Sequence, residues 1–173
     1  MPHPLEHRGL VEPDYHPCLM SAHRQQAHID APVEEMWSLV GTPRRYPEWW
    51  PRVIEVQGER FEEGDEYVQV TRDPTGKVRT NFLIERARDL REIRMSCQAT
   101  GTFAHWMLTP AQGGTFVELE MGMEPRGVAH RLFDMTMGKR YFRIWSELSL
   151  DGLRAAALRE RARSRSALPS HHA

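Results

Sequence analysis

The amino-acid sequence predicts an α+β fold in which a curved antiparallel sheet wraps around a long C-terminal helix. Three observations support this prediction. Two short helical segments follow the first strand-like segment, six more strand-like segments follow at short spacing, and a long amphipathic stretch closes the domain. Consecutive strands joined by short turns form an antiparallel meander. The closing helix has a broad apolar face, and the sheet is the surface available to bury it.

Proline and glycine mark the first elements of the chain. Residues 21–29 form the first predicted strand. Pro32 suits the first position of a helix, since its missing N–H is not needed there, and Gly41 ends that helix. Pro43 then begins a second short helix, which Pro47 stops soon afterwards. We therefore expect two short helices between the first and second strands.

Six further strands follow, separated by turn residues. Gly64, Gly76 and Gly113 lie between apolar runs, in segments that also carry Asp, Pro, Thr or Gln. Such segments are typical of hairpin turns. The strands are predicted at 53–58, 65–72, 78–87, 92–98, 102–109 and 115–123.

Alternation along the strands predicts which side chains face the interior. In 115–123, Val117, Leu119, Met121 and Met123 alternate with glutamates that need water. In 102–109 alternation leaves two choices: Ala104, Trp106 and Leu108, or Phe103, His105 and Met107. In 78–87 and 92–98 the predicted inward side chains are Thr80, Phe82, Ile84, Ile93, Met95 and Cys97. A cavity lined in this way would be mostly apolar.

The closing helix is predicted from about Val128 to Arg163. At 100° per residue, one arc of its surface carries five large apolar side chains, with Trp145 beside it and charged residues opposite. This pattern predicts that the arc is buried against the sheet along most of the helix. Its members are Phe133, Met137, Tyr141, Ile144 and Leu148, and the arc is widened by Met135, Phe142 and Leu153.

His130 and Asp134 fall on the same arc, one helical turn apart. A carboxylate next to an imidazole can fix its tautomer and raise its basicity, which would make the pair a candidate general base. The alternative is an ordinary surface pair on a turn that extends beyond the sheet. We take the two residues as the catalytic candidates of the chain.

A set of short motifs carries a resemblance to a known superfamily. The motifs are Ile29-Asp30-Ala31-Pro32 with Trp37, then Trp49-Trp50-Pro51, and later Leu108-Thr109-Pro110. In this order, and over residues 21–160, the chain resembles the SRPBCC superfamily in its polyketide cyclase/dehydratase-like branch. That group shares the helix-grip fold of START lipid-binding domains and pollen-allergen-like proteins. The family pattern places an inward leucine before the Thr-Pro turn, which favours the inward set with Leu108.

The resemblance implies an internal cavity that binds a hydrophobic small molecule, polyketide-, lipid- or quinone-like. The alternative is a polyketide cyclase, aromatase or dehydratase type of enzyme working in the same cavity. The cyclases resembled here use polar and basic groups on the strand at 78–87, and this chain shows no clear Ser–Arg pair there, which favours binding. The predicted ligand contacts are Trp50, Tyr67, Thr80, Phe82, Trp106, Leu119, Met121, Met137 and Tyr141.

Composition restricts the remaining functions. A formal net charge of -1 argues against nucleic-acid binding, and no apolar run is long enough to span a membrane. Two cysteines imply no disulfide framework, no signal peptide is evident, and we expect a cytoplasmic protein. We expect no cofactor and no metal site, and a homodimer is compatible with the sequence. The predicted organisation is a flexible arm at 1–19, a domain at 20–160 and a disordered basic tail at 161–173.

Overall fold

The structure, a computed structural model that describes residues 21–73 and 76–167, contains a seven-stranded antiparallel sheet curved around a long helix. The order of strands across the sheet is β1-β7-β6-β5-β4-β3-β2, so β1 joins the far end of a meander that runs from β2 to β7. This confirms the predicted helix-grip architecture. The strands are β1 (Ser21–Ile29), β2 (Val53–Gln57), β3 (Glu66–Asp73), β4 (Gly76–Arg88), β5 (Glu92–Cys97), β6 (Thr102–Ala111) and β7 (Gly114–Met123).

The helices lie where proline and glycine predicted them. Helix α1 (Val33–Val40) and a 3₁₀ helix (Pro43–Glu48) connect β1 to β2. The closing helix consists of α2 (Val128–Phe133), a π-helical turn (Asp134–Gly138) and α3 (Lys139–Ala167). Helix α3 thus includes residues 161–167 of the predicted tail. The predicted arm and residues 168–173 lie outside the described residues.

The inward faces of the strands agree with the alternation of the sequence. Ile84, Ile93, Met95 and Leu119 are fully buried, and β6 turns Ala104, Trp106 and Leu108 to the interior. On the outer face of β6, His105 Nε2 lies 2.8 Å from a carboxylate oxygen of Glu92. This polar pair lies on the outer face, where its side chains can reach water.

The buried face of the closing helix differs from the predicted arc. Met137, Ile144 and Leu148 are 60%, 42% and 52% exposed. Phe142 and Leu153, at the edge of the predicted arc, are fully buried, and Phe133 and Tyr141 are partly buried against the core. The other buried side chains of the helix lie outside the arc: Ser146, Ser149, Leu150, Ala156 and Ala157. A π turn holds more residues than an α turn, so the arc computed at a constant 100° per residue is rotated after it.

Small residues explain why α3 lies so close to its neighbours. A Cβ added at Gly152 would stand 2.2 Å from the carbonyl oxygen of Trp49. The helix backbone therefore approaches the backbone of the corner before β2 at a distance that only glycine permits. Hydropathy does not register serine, glycine and alanine as a packing face.

An aromatic cluster fills that corner. Trp49 and Trp50 stack with their ring centroids 5.7 Å apart, and Trp106 of β6 meets both edge-on. The buried Tyr46 hydroxyl donates a hydrogen bond to the carbonyl of Val40 at 2.8 Å. Such edge and stacked contacts fix the corner as part of the core.

Candidate functional site

A cavity of about 170 Å³ lies between the inner face of the sheet and α3. Cross-strand pairing builds its wall, because Gln69 of β3 lies opposite Thr80 of β4, and Phe82 of β4 lies opposite Cys97 of β5. These four side chains share the inward parity of the core. The remaining lining residues are Arg52, Thr71, Asp73, Val78, Thr100, Thr102, Tyr141 and Trp145.

The mouth of the cavity is crossed by an ion pair. Arg52 and Asp73 are bonded through their side chains, and each side chain is about one third exposed. Arg52 Nε also donates to the carbonyl of Arg72 at 3.0 Å, and its Nη1 lies 3.5 Å from the hydroxyl of Tyr141. Arg52 has a φ of 70°, a left-handed backbone conformation that is uncommon for a bulky residue.

The inner end of the cavity is neutral and closed. Gln69, Cys97 and Phe82 are 2%, 3% and 8% exposed. The Thr80 hydroxyl donates to the backbone carbonyl of Gln69 at 3.4 Å. Within the described residues, Oε1 of Gln69 has no hydrogen-bond partner. The site therefore combines an apolar pocket, a charged mouth and one polar group at depth.

Three predicted ligand contacts line this cavity: Thr80, Phe82 and Tyr141. Met137 does not, since it is 60% exposed, and the reason is the rotation introduced by the π turn. The other predicted contacts pack in the core instead of lining the cavity. They are Trp50, Tyr67, Trp106, Leu119 and Met121.

Tyr67 shows why a strand tyrosine need not reach a cavity. Its ring stacks on Phe82 with centroids 5.5 Å apart, and its hydroxyl lies 3.2 Å from the sulfur of Met95. Burial raises the pKa of the Tyr67 hydroxyl well above its usual range. A phenol held in this way stays protonated at neutral pH.

His130 and Asp134 lie away from the cavity. Asp134 is 3% exposed and borders a groove at the β1 edge of the sheet, together with His23, Lys139 and Arg140. The cavity lies at the other half of the sheet, against β3 and β4. Nδ1 of His130 is buried and has no hydrogen-bond partner in the described part of the chain. The structure does not bring the pair to the cavity.

The prediction missed the polar lining residues Arg52, Gln69 and Asp73. A signal for Gln69 was present, because it stands two residues from Tyr67 and so shares its inward parity. Asp73 carries the same parity at the end of β3. Arg52 left no comparable signal, since its role depends on a left-handed backbone conformation.

No cluster of three or more His, Cys, Asp or Glu that could hold a metal ion occurs within residues 21–73 and 76–167. Across that same span, no helix is both long and apolar enough to cross a membrane.

Comparison with protein families identifies one family for this chain. A family model described as polyketide cyclase/dehydrase and lipid transport matches residues 20–158. No curated protein matches the sequence.

Solved structures show the same fold at low sequence identity. A protein from Nitrosomonas europaea superposes with a TM-score of 0.65 at 16% identity, covering 83% of this chain and 97% of that one. A protein from Arthrobacter aurescens gives 0.62 at 18% identity, covering 88% and 92%. A polyketide-cyclase-like protein from Corynebacterium glutamicum gives 0.55 at 17% identity, covering 91% and 99%. At such identities these likenesses concern the fold alone.

Proposed function

The chain belongs to the polyketide cyclase/dehydrase and lipid transport family, and from this premise we propose that it binds a polyketide-, lipid- or quinone-like molecule in the cavity under α3. The observation that carries the proposal is the cavity itself, which has a closed, neutral inner end and an outer end open past Arg52 and Asp73. Pockets of this make-up bind apolar molecules and orient them with a few polar groups.

Burial of apolar ligand surface would supply the affinity. Each square ångström removed from water contributes about 25 cal/mol before the cost of ordering the ligand. Phe82 and Trp145 offer aromatic surface on opposite walls, one on the sheet and one on the helix. The volume of about 170 Å³ suits one or two rings, or one segment of a longer molecule that leaves through the mouth.

Binding has more support than catalysis. The titratable side chains of the lining are Arg52, Asp73, Cys97 and Tyr141, and the first two neutralise each other. Neither His130 nor Asp134, the predicted proton-transfer pair, is among the residues that line the cavity. The acid and base predicted for a cyclase-type activity are thus missing from the lining, so ligand binding is the function proposed. The predicted homodimer stays a prediction.

A pair of neighbouring substitutions on β4 tests the proposal. Thr80→Phe places a ring inside the cavity, whereas Arg79→Phe places the same ring on the outer, exposed face of the strand. With 1-naphthol as the probe, we expect Thr80→Phe to weaken binding at least about tenfold and Arg79→Phe to leave it within about twofold. Ligand-observed nuclear magnetic resonance titration gives both dissociation constants.

Equal affinity in the two variants would place the probe outside the cavity and overturn the proposal. His130→Ala serves as a second control, and its affinity should equal that of the wild type. Native mass spectrometry of protein isolated from its own host should in addition show a retained apolar molecule. If the host-derived protein retains no molecule and no apolar probe binds to it, these results would count against the proposed binding function.

A further inference from the structure

The amide of Gln69 is a buried polar group in the sheet wall of the cavity whose oxygen the fold leaves unpaired within the described residues; the indole N–H of Trp145, on the helix side, is a second such group. Its side chain is 2% exposed, and the residue lines the cavity. Oε1 has no partner among the described residues, and no hydrogen bond is formed there by the amide nitrogen either. An amide has two donors and one acceptor, and burying them unpaired costs free energy. A buried amide of this kind requires a hydrogen-bond partner, and a ligand in the cavity can provide one.

The neighbours of this amide cannot provide that partner. The Thr80 hydroxyl is directed to the backbone carbonyl of Gln69, and the Tyr67 hydroxyl is directed to the sulfur of Met95. The guanidinium of Arg52 is held at the mouth by Asp73 and by the carbonyl of Arg72. The inner end of the cavity therefore contains no charged side chain that could pair with an ionised ligand.

These contacts restrict what can bind beside Gln69. An ionised ligand group would lose its hydration there without gaining a counter-ion, so a neutral group is favoured. A purely apolar ligand would displace any water from the amide and leave it unpaired. A hydroxyl meets both conditions. It is neutral, and it can donate a hydrogen bond to Oε1 and accept one from the amide nitrogen.

We propose that the ligand carries a neutral hydroxyl on a ring and enters the cavity with this group first, so that it pairs with the amide of Gln69. This inference rests on the proposed binding function and names the ligand class that the cavity selects. The ring then lies against Phe82, and the remainder of the molecule points to Arg52 and Asp73 at the mouth. Gln69 is in this way the residue that determines specificity.

A matched pair of ligands and a matched pair of variants test the selection. 1-Naphthol and 1-methylnaphthalene differ by a hydroxyl in place of a methyl group. Gln69→Met keeps the length of the side chain and removes the amide, and Gln57→Met makes the same change at an exposed position of β2. We compare the ratio of the two dissociation constants between proteins. The different hydration of the two ligands contributes equally to this ratio in every protein and therefore cancels.

We expect Gln69→Met to shift this ratio by about tenfold towards 1-methylnaphthalene, the loss typical of one buried hydrogen bond. Gln57→Met should leave the ratio unchanged. A second readout needs no ligand: removal of a buried unpaired amide should keep or raise the thermal midpoint of the empty protein, so Gln69→Met is expected to fold.

The outcomes separate the two proposals. If both ligands bind the wild type and compete with each other, but Gln69→Met leaves their ratio unchanged, the role of Gln69 is overturned and the binding function stands. If neither ligand binds, or if Thr80→Phe leaves both affinities intact, the binding function itself fails.

Discussion

Glu92 shows how a single carboxylate can tie three strands together. It stands on β5, accepts a hydrogen bond from His105 of β6 at 2.8 Å, and lies 3.7 Å and 3.4 Å from the guanidinium groups of Arg86 and Arg88 on β4. Burial acts to raise the pKa of Glu92, but the hydrogen bond from His105 and the charges of the two arginines outweigh it. The pKa of Glu92 is therefore lowered.

A lowered pKa makes stability depend on pH. The ionised carboxylate stabilises the folded state above the pKa of the unfolded chain, near 4.5, and this contribution is lost as the pH falls through the lower folded pKa. We expect Glu92→Gln to reduce the free energy of unfolding by about 1 kcal/mol at pH 7. The difference from the wild type should shrink below about pH 4.5.

Urea unfolding between pH 7 and pH 3 measures this difference. Glu63→Gln is the control, because Glu63 is exposed and the described residues give it no ion pair. A difference that stays constant down to pH 3 would contradict the assignment of the pKa shift to Glu92.

At the scale of the element, α3 is held by close approach of small residues as well as by the large buried side chains of Phe142 and Leu153. Ser146 and Ser149 are fully buried and donate to the carbonyls of Arg143 and Trp145 within the helix. Their hydroxyls are thus satisfied without contacts outside the helix. Gly152 then allows the helix to touch the carbonyl of Trp49.

Gly152→Ala separates this packing from helix propensity. Propensity alone favours alanine over glycine by about 1 kcal/mol in a helix interior. The added Cβ would meet a backbone oxygen, which cannot yield, so we expect a net loss of about 1–3 kcal/mol in the free energy of unfolding. Chemical denaturation measures it, with the exposed Ser164→Ala as the control on the same helix. A gain in stability would show that the helix can move away from the corner.

The closing helix also shows which features of the fold could not be predicted from the sequence. The strands were predicted to within a few residues, and their inward sets correctly, because an exact period of two separates Glu118 and Glu120 from Leu119. The helix was predicted, but its buried face only in part: Phe142 and Leu153 are buried, whereas Met137 is exposed. A π turn at Asp134–Gly138 breaks the period, and the packing face includes Ser146 and Ser149, which a hydropathy scale does not mark as buried.

The site was predictable to a similar degree. Thr80 and Phe82 followed from strand parity, whereas Gln69 was hidden because a polar side chain on an inward face looks like an error in the pattern. Arg52 pairs with Asp73, 21 residues away, through an unusual backbone conformation at Arg52. No local sequence pattern indicates either feature.

At the scale of the whole molecule, an unfilled cavity connects ligand binding to stability. A ligand that binds only the folded chain raises its free energy of unfolding by mass action, by about 2.7 kcal/mol at a hundred times its dissociation constant. For a chain of this length, that corresponds to a rise of about 5–10 °C in the unfolding midpoint.

We expect 1-naphthol to give this rise in the wild type and none in Thr80→Phe, where the added ring occupies the cavity. Differential scanning calorimetry at several ligand concentrations measures both. A rise of equal size in the two proteins would indicate binding to another surface, and a fall would indicate preference for the unfolded chain.

The ion pair at the mouth sets a time scale as well as a boundary. An ion pair as exposed as that of Arg52 and Asp73 contributes at most about 1 kcal/mol, so its rupture slows the passage of a molecule by no more than about fivefold. Passage through the mouth is therefore fast compared with the lifetime of a well-fitting complex. The residence time of a ligand is then decided at the closed end, so the protein discriminates among molecules by how long each one stays.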